Sequence, residues 1–380
     1  MVAKKSVVLV YRDHLLSPSE TFIMRQAEAL KEFVPYYVGS RRVEGLPLPE
    51  DRTILVNRGG FLGKLSEMAF RFRGPSSKMV RRVQGLNPAL IHAHFGPDSV
   101  KALSLSRALR IPLVVTFHGY DATVRDEYAR HSFHSHRVYL RHRELLQREA
   151  NQFIAVSKFI KNSLIEFQRI PSEKIVVHYI GVDTKVFQPH PEVLREPTVL
   201  FVGRLVEKKG CEYLIRAMSR VQAVMPEANL VVIGDGPLRA PLEQQARATL
   251  RKYSFLGTQS LETVRMWMNR AKVFSVPSIT AQSGDSEGLP TVFVEAQAIG
   301  TPVASFVSNG IPEAVLHNET GFLAPEGDWM KLADSILLLL TDEGLWRRFS
   351  KAGQSRANGT FNIREQTRKL ERVYAQVLDK

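Results

Sequence analysis

The chain of 380 residues carries a single cysteine, Cys211. One thiol excludes an intramolecular disulfide framework and suits a reducing compartment. Long apolar runs are missing too. The first apolar run, residues 6–11, lies between Lys5 and Arg12. It is far too short for a signal peptide or a membrane span and reads as a buried first strand. No repeat at solenoid spacing and no low-complexity tract is present. The full glycine spacing of a dinucleotide-binding turn is also absent, which argues against a nicotinamide cofactor.

What is present is ordinary globular material, 44% hydrophobic and 24% charged. At this length one core does not suffice, and two domains of roughly 150–200 residues are expected. The net charge is +14 and unevenly spread. Residues 1–193 hold 29 Lys and Arg against 18 Asp and Glu, or +11; the remainder holds 23 against 20, or +3. A basic first half points to nucleic acid, an acidic membrane surface or a phosphorylated substrate, or serves solubility alone.

Short apolar strands alternate with helical patterns throughout, the signature of parallel α/β layers. In the first half they fall at 7–11, 36–38, 53–56, 90–93, 113–117, 153–156 and 175–178. In the second half they fall at 198–202, 230–233, 253–256, 273–276, 303–305 and 321–323. Each half is expected to form a doubly wound sheet with its ligand at the carboxyl ends of the strands. Residues 181–191, with Pro189 and Pro191 flanking His190, are the linker candidate. The expected division is a first domain over 1–187, a second over 188–360 and a final segment over 361–380. In that last segment Leu370, Val373, Tyr374 and Val377 share one helix face, free to pack back on the first domain.

Residues 61–82 interleave Phe61, Leu62, Leu65, Met68, Phe70 and Phe72 with Lys64, Arg71, Arg73, Lys78, Arg81 and Arg82. That mixture suits a helix lying on anionic lipid, or an ordinary helix with solvated arginines.

Glu287 and Glu295 bracket Gly288, Leu289, Pro290 and Thr291. Pro290 suits the first turn of a helix. The bare N–H groups at Leu289, Thr291 and Val292 would face an anion, and the two carboxylates would grip a polyol. Alone, the pattern is equally a capped amphipathic helix with two solvated acids. The strand over 198–202 leads into Gly203-Arg204-Leu205 and on to Lys208-Lys209-Gly210. This places Arg204 and Lys209 at a ligand-facing strand end, with Lys208 expected in solvent. The strand over 230–233 ends in Gly234-Asp235-Gly236-Pro237, and the next in Gly257.

In the first half, His94-Phe95-Gly96 and Thr116-Phe117-His118-Gly119-Tyr120-Asp121 each follow an apolar strand. His92 and His94 alternate along one strand and are expected not to share a metal. A zinc site would need ligands that the sequence does not offer. His131, His134, His136 and His142 read as a helix surface.

Together these motifs resemble the retaining glycosyltransferases of family 4, which have the GT-B architecture. The likeness in the second half runs over 200–325. It also takes in Val276-Pro277-Ser278, Gly300-Thr301-Pro302-Val303 and Gly321-Phe322-Leu323. The combination, in one order and at these spacings, is specific. It implies an α/β chain of two Rossmann-like, doubly wound parallel-sheet domains facing across a cleft. It implies that Arg204 and Lys209 stabilise the leaving diphosphate, that Glu287 binds donor sugar hydroxyls and that Glu295 binds the ribose. Gly288 to Thr291 would face the phosphates, Gly203, Gly234 and Gly236 would line the donor, and the region from Gly257 would pack on the base. His118 matches the active-site histidine.

Family members commonly carry a Gly-Gly turn after the first strand. Here Ser19-Glu20-Thr21-Phe22 stands instead. Ser19 is expected to cap a helix whose N-terminus serves the diphosphate. That form resembles a subgroup that builds surface and exported polysaccharides.

The resemblance implies transfer of a sugar from a UDP- or GDP-sugar with no metal cofactor. Retention is expected by front-face attack, with His118 rather than a carboxylate near the anomeric carbon. The implied acceptor is a saccharide or a lipid diphosphate. The implied location is cytoplasmic, peripheral on the inner face of a membrane through residues 61–82. The rival readings are a nucleotide-sugar epimerase of the same fold, a nucleic-acid-binding α/β protein and a catalytically inactive relative. Glu287 and Glu295 argue against nucleic acid, because carboxylates repel a phosphate backbone.

Overall fold

The computed structural model describes residues 5–131 and 134–379 and divides into two compact units. The first comprises residues 1–181 and 363–380, the second residues 182–362.

The first unit is built on seven parallel strands. They are β1 (Ser6–Tyr11), β2 (Phe33–Gly39), β3 (Thr53–Leu55), β4 (Pro88–His94), β5 (Leu113–Phe117), β6 (Gln152–Ala155) and β7 (Ile175–Val177). Their order across the sheet is β3-β2-β1-β4-β5-β6-β7. β1 therefore pairs with β2 on one side and β4 on the other, and the winding reverses there. Loops leaving β1 and β4 part at that point and open a crevice at the carboxyl edge. Val8, Leu9 and Val10 are buried on both faces of the sheet, which is why β1 reads as an unbroken apolar run.

Helices α1 (Thr21–Glu28), α2 (Gly60–Arg73), α3 (Ser77–Gln84) and α4 (Gly96–Leu109) lie among these strands. A two-residue ladder, His14–Leu15 with Arg41–Arg42, extends from the β1 and β2 exits. It is too short to leave a periodic signal in sequence.

The second unit repeats the plan. Its strands are β8 (Glu196–Val202), β9 (Asn229–Ile233), β10 (Tyr253–Phe255), β11 (Ala271–Phe274), β12 (Val303–Val307) and β13 (Gly321–Pro325). Their order is β10-β9-β8-β11-β12-β13, all parallel, with the reversal at β8. The strand expected at 273–276 runs two residues earlier, and Val276, Pro277 and Ser278 form its exit loop. Helices α5 (Cys211–Val224) and α6 (Thr291–Ile299) follow β8 and the loop after β11.

The final helix, α7 (Ile363–Leu378), belongs to the first unit. Leu370, Val373, Tyr374 and Val377 complete a core with Val8, Leu30, Phe33, Leu90, Val114 and Ile154. Glu371 is buried, and its carboxylate accepts from the backbone N–H groups of Lys31 and Glu32 at 2.6 and 2.7 Å. The division falls at 181/182, at the start of the 181–191 segment and six residues before the expected 187/188 boundary. The Val182 N–H donates to the Phe361 carbonyl at 2.7 Å, and a bridge joins Val182 to Asn362, tying 182 into the second unit.

Candidate functional site

Three strand exits of the second unit converge. The Gly203 N–H donates to the Ile233 carbonyl at 3.0 Å, the Leu205 N–H to Asp235 at 2.9 Å and the Gly234 N–H to Gly257 at 2.8 Å. Gly234 has φ 136°, and a Cβ there would lie 1.9 Å from the Gly203 carbonyl oxygen. Only glycine fits such an approach. The structure thus brings together Gly203, Gly234, Gly236 and Gly257.

After β8, Arg204 is exposed and a short turn, Glu207–Lys209, carries two lysines. Gly210 closes the turn with φ 61°, its Cα so near the Pro277 carbonyl oxygen that a Cβ would sit 1.9 Å away. The turn is stitched to the loop before α6. Lys208 Nζ reaches Asp285 Oδ1 at 2.9 Å, Lys209 Nζ reaches Glu287 Oε1 at 2.8 Å, and Glu207 accepts from the Gln282 N–H at 3.0 Å. Lys208, expected in solvent, is buried, because Asp285 supplies the partner that a buried ammonium requires.

Glu287 is buried as well. Burial pushes its pKa up, but Lys209, Lys208 and Arg204 together outweigh that and bring it down to about 2. It stands ionised beside a cluster of cations. Pro290 occupies the capping position of α6 rather than its first turn, and no side chain caps that helix end. Gly288 and Leu289 precede the cap, Thr291 opens the helix, and Glu295 lies half-buried on its second turn. The arrangement offers cations, a helix N-terminus and a fixed carboxylate within one unit.

In the first unit the exits of β4 and β5 meet. Asp121 is buried, and its carboxylate accepts from the backbone N–H groups of His118 (3.0 Å), Gly119 (2.9 Å) and Gly96 (3.1 Å). Burial raises its pKa to about 6 against those hydrogen bonds. The sequence shows Asp121 at the end of a motif but not that it welds two loops. His118 packs between Phe22 and Phe95, with ring centroids 5.0 and 4.6 Å away.

His92 and His94 were expected to diverge; instead their rings stand 4.3 Å apart on one face. Residues two apart on a strand point the same way. Among the described residues no group of three or more His, Cys, Asp or Glu is placed to hold a metal ion. His131 and His134 are exposed, while His136 and His142 are half-buried on their helix.

Ser19 does not cap α1: it lies exposed in a short turn, Pro18–Glu20, that Ser17 caps, and the cap position of α1 itself is Glu20, with no side-chain cap. The buried Glu20 carboxylate accepts from the Ser17 N–H at 3.0 Å and pairs with Arg12 at 2.8 Å. Arg12 also pairs with Asp98 and lies 4.4 Å over the Phe95 ring. Beside it Lys101 meets Asp13 at 2.5 Å. Arg12 and Asp13 directly follow the first strand. Asp98 and Lys101 belong to α4, and no spacing links them to β1.

Two units of this topology, with a cationic strand exit facing an acidic helix entry in the second, define a glycosyltransferase of the GT-B class. Residues 182–356 match the family described as Glycosyl transferases group 1, and residues 19–186 match Glycosyltransferase Family 4. The chain belongs to family 4. It is 30% identical over 288 residues to the amylovoran biosynthesis glycosyltransferase AmsK of Erwinia amylovora, covering 75% of this chain and 69% of that one. It is 34% identical over 175 residues to a GDP-mannose-dependent alpha-(1-6)-phosphatidylinositol monomannoside mannosyltransferase of Mycobacterium tuberculosis, covering 43% and 46%. The solved structure of Anabaena HepE in complex with UDP and glucose superposes with a TM-score of 0.79 at 21% identity, over 98% of this chain and 100% of that one. The Erwinia and Mycobacterium relatives are both named as transferases, which favours transfer over the donor-only epimerisation considered from sequence.

Proposed function

We propose that this glycosyltransferase moves a hexose from a UDP- or GDP-sugar, with retention, to a saccharide or lipid-diphosphate acceptor in surface polysaccharide assembly. The observation that carries the reading is the Lys209–Glu287 pair, set among Lys208 and Arg204 beside the uncapped start of α6. Cleavage of the anomeric C–O bond gathers negative charge on the departing diphosphate. Arg204, Lys209 and the first N–H groups of α6 meet that charge already in place, which is where electrostatic catalysis is strongest. Glu287, held ionised, accepts hydrogen bonds from donor sugar hydroxyls. Glu295 takes the ribose, and the Gly203, Gly234, Gly236 and Gly257 exits leave room for the nucleoside. His118 serves the sugar, and retention follows from front-face attack in which the leaving phosphate takes the acceptor proton. No metal ion is assigned a part.

The acceptor side of the proposal draws on α2. Phe61, Leu62, Leu65, Met68 and Phe72 are exposed along one face, with Phe61 and Phe72 at 75% and 73%. Lys64, Arg71 and Arg73 flank them, and Lys78, Arg81 and Arg82 follow on α3, also exposed. Phe70 turns inward to the core. Such a face fits the headgroup region of an anionic leaflet and supports a peripheral position on the inner face of a membrane. No helix among the described residues is long and apolar enough to cross one.

The test is a thermal-shift series with UDP-, GDP- and ADP-sugars on the wild type and Glu287→Ala, followed by proton NMR of the product. One nucleotide should stabilise both proteins, and the new linkage should keep the donor's anomeric configuration. Stabilisation by none of the three, or an inverted product, overturns the reading.

A further inference from the structure

We propose that His94 is a positioning residue for His118, fixing the tautomer and ring plane of His118 so that its Nδ1 is the atom offered to the substrate. The inference rests on the transferase reading for its kinetic arm and on the first unit's geometry for everything else.

The two imidazoles lie at the ends of adjacent strands. His94 closes β4, and His118 is the first residue beyond β5. His94 Nδ1 stands 3.0 Å from His118 Nε2, and the rings are stacked at 5.2 Å and 21°. Burial, then His92 and Arg12, hold His118 well below the usual histidine range; burial, then His92, His118 and Arg12, do the same for His94. Both rings are therefore neutral, each with one N–H, and a single proton lies between them. Whichever ring donates it, that hydrogen bond ties the proton on His118 to one nitrogen.

His94 is itself held from behind. His92 packs tilted against it with ring centroids 4.3 Å apart, and both His92 nitrogens are occupied: Nδ1 lies 2.6 Å from the Tyr374 hydroxyl and Nε2 2.6 Å from Thr116 Oγ1. The order in this row starts at α7 and ends at His118. At that end the His118 backbone N–H is fixed by Asp121, and Phe22 and Phe95 wall the ring.

The remaining polar atom, His118 Nδ1, is buried and has no hydrogen-bond partner among the described residues. Leaving a buried ring nitrogen unmet forfeits its hydration without return. Such a group in a native fold asks for a ligand. A sugar hydroxyl, able to donate and to accept, satisfies it in either tautomer. His94 thus acts through His118 and touches no substrate.

The experiment uses the full-length protein, with His94→Leu and His94→Gln tested alone and combined with His118→Ala. Nitrogen-15 spectra of histidine-labelled protein read the imidazoles without any assay. In the wild type, the His118 nitrogens should show one fixed neutral tautomer, with the exchanging average appearing in His94→Leu. Transfer kinetics should then show kcat lowered roughly 10- to 100-fold in His94→Leu, as expected of a misplaced reacting group. The donor KM should be nearly unchanged, and the amide of His94→Gln should restore part of the loss. In the His118→Ala background, His94→Leu should cost little more. An unshifted melting transition of the first unit certifies each variant as folded where the change lies. An averaged tautomer in the wild type, or losses that multiply in the double variant, overturns the proposal. Absent transfer by the wild type alongside a fixed tautomer fails the transferase reading instead.

Discussion

The two glutamates of the donor segment are chemically alike and differently placed. Glu287 is buried against three cations, while Glu295 is half-buried one turn into α6. Under the proposed function Glu287 holds the sugar and acts at the reacting centre, while Glu295 holds the ribose and acts on binding. Glu287→Ala should therefore lower kcat by about 100-fold or more with a small change in nucleotide Kd, a loss in the range for one preorganised group. Glu295→Ala should weaken UDP or GDP binding by about tenfold, or ~1.4 kcal/mol, at the low end for a hydrogen bond to a charged group. Titration calorimetry against the nucleotide and steady-state kinetics separate them; equal losses of affinity would contradict the division.

The same site makes a pH prediction. The Glu287 pKa of about 2 in the fold lies below the ordinary 4.5, so its pairing stabilises the folded state above pH 4.5 and is lost as pH falls toward 2. The full fall corresponds to roughly 3 kcal/mol. Lys209→Met removes the largest opposing cation from a buried carboxylate. Its melting temperature should lie below the wild type's above pH 5, and the gap should narrow through pH 3 and close only near pH 2. A gap constant across that range would show that Lys209 stabilises by packing alone.

Glu287 was legible in sequence because its neighbours fix a helix entry within a few residues. The Lys208–Asp285 pair was not, since 77 residues separate its members and no spacing announces a contact between loops. The cluster of Arg12, Asp98 and Lys101 was hidden for the same reason. His92 and His94 were a different case. The two-residue strand period itself places them on one side, and their ring contact follows from it.

At the scale of elements the strands were legible because parallel strands covered on both faces are continuous apolar runs. Their ends were blurred where a polar residue extends the ladder, as at Glu196 and Asn229. The helix cap was misplaced because a short turn, Pro18–Glu20, capped by Ser17, intervenes, so that α1 starts after Glu20 and Ser19 lies inside the turn.

For α2 the sequence left two readings open, and burial now separates its faces. Gly63 and Phe70 pack inward while Phe61, Leu65, Met68 and Phe72 share the outer face. An apolar stripe beside cations binds by area and by charge, so the two parts are separable. Phe61→Ser/Phe72→Ser should reduce co-sedimentation with anionic vesicles at all salt concentrations. Lys64→Gln/Arg71→Gln should reduce it at low salt and matter little at 0.5 M, where surface attraction is screened. Wild-type protein that stays in solution with phosphatidylglycerol vesicles at low salt would rule the surface out.

At the scale of the whole chain, the backbone enters the second unit at 181/182 and leaves it at 362/363. The first unit is therefore completed by residues made after the second. Its core lacks a wall until α7 arrives with Leu370, Val373, Tyr374 and Val377. Each buried side chain of this size contributes roughly 1.5–3 kcal/mol, so the four together approach the whole stability of an ordinary domain. Leu370 is 1% exposed. Leu370→Asp places a carboxylate there with no cation beside it in the apolar cluster, a change that costs several kcal/mol. The second unit draws nothing from that cluster. Calorimetry of the full-length variant should show the first unit melting early, with a second transition retained near its wild-type temperature and still raised by the donor nucleotide. Limited proteolysis should then cut residues 5–131 before residues 182–362. Loss of both transitions together would mean that the second unit depends on the first for its fold, and nucleotide binding would disappear with it.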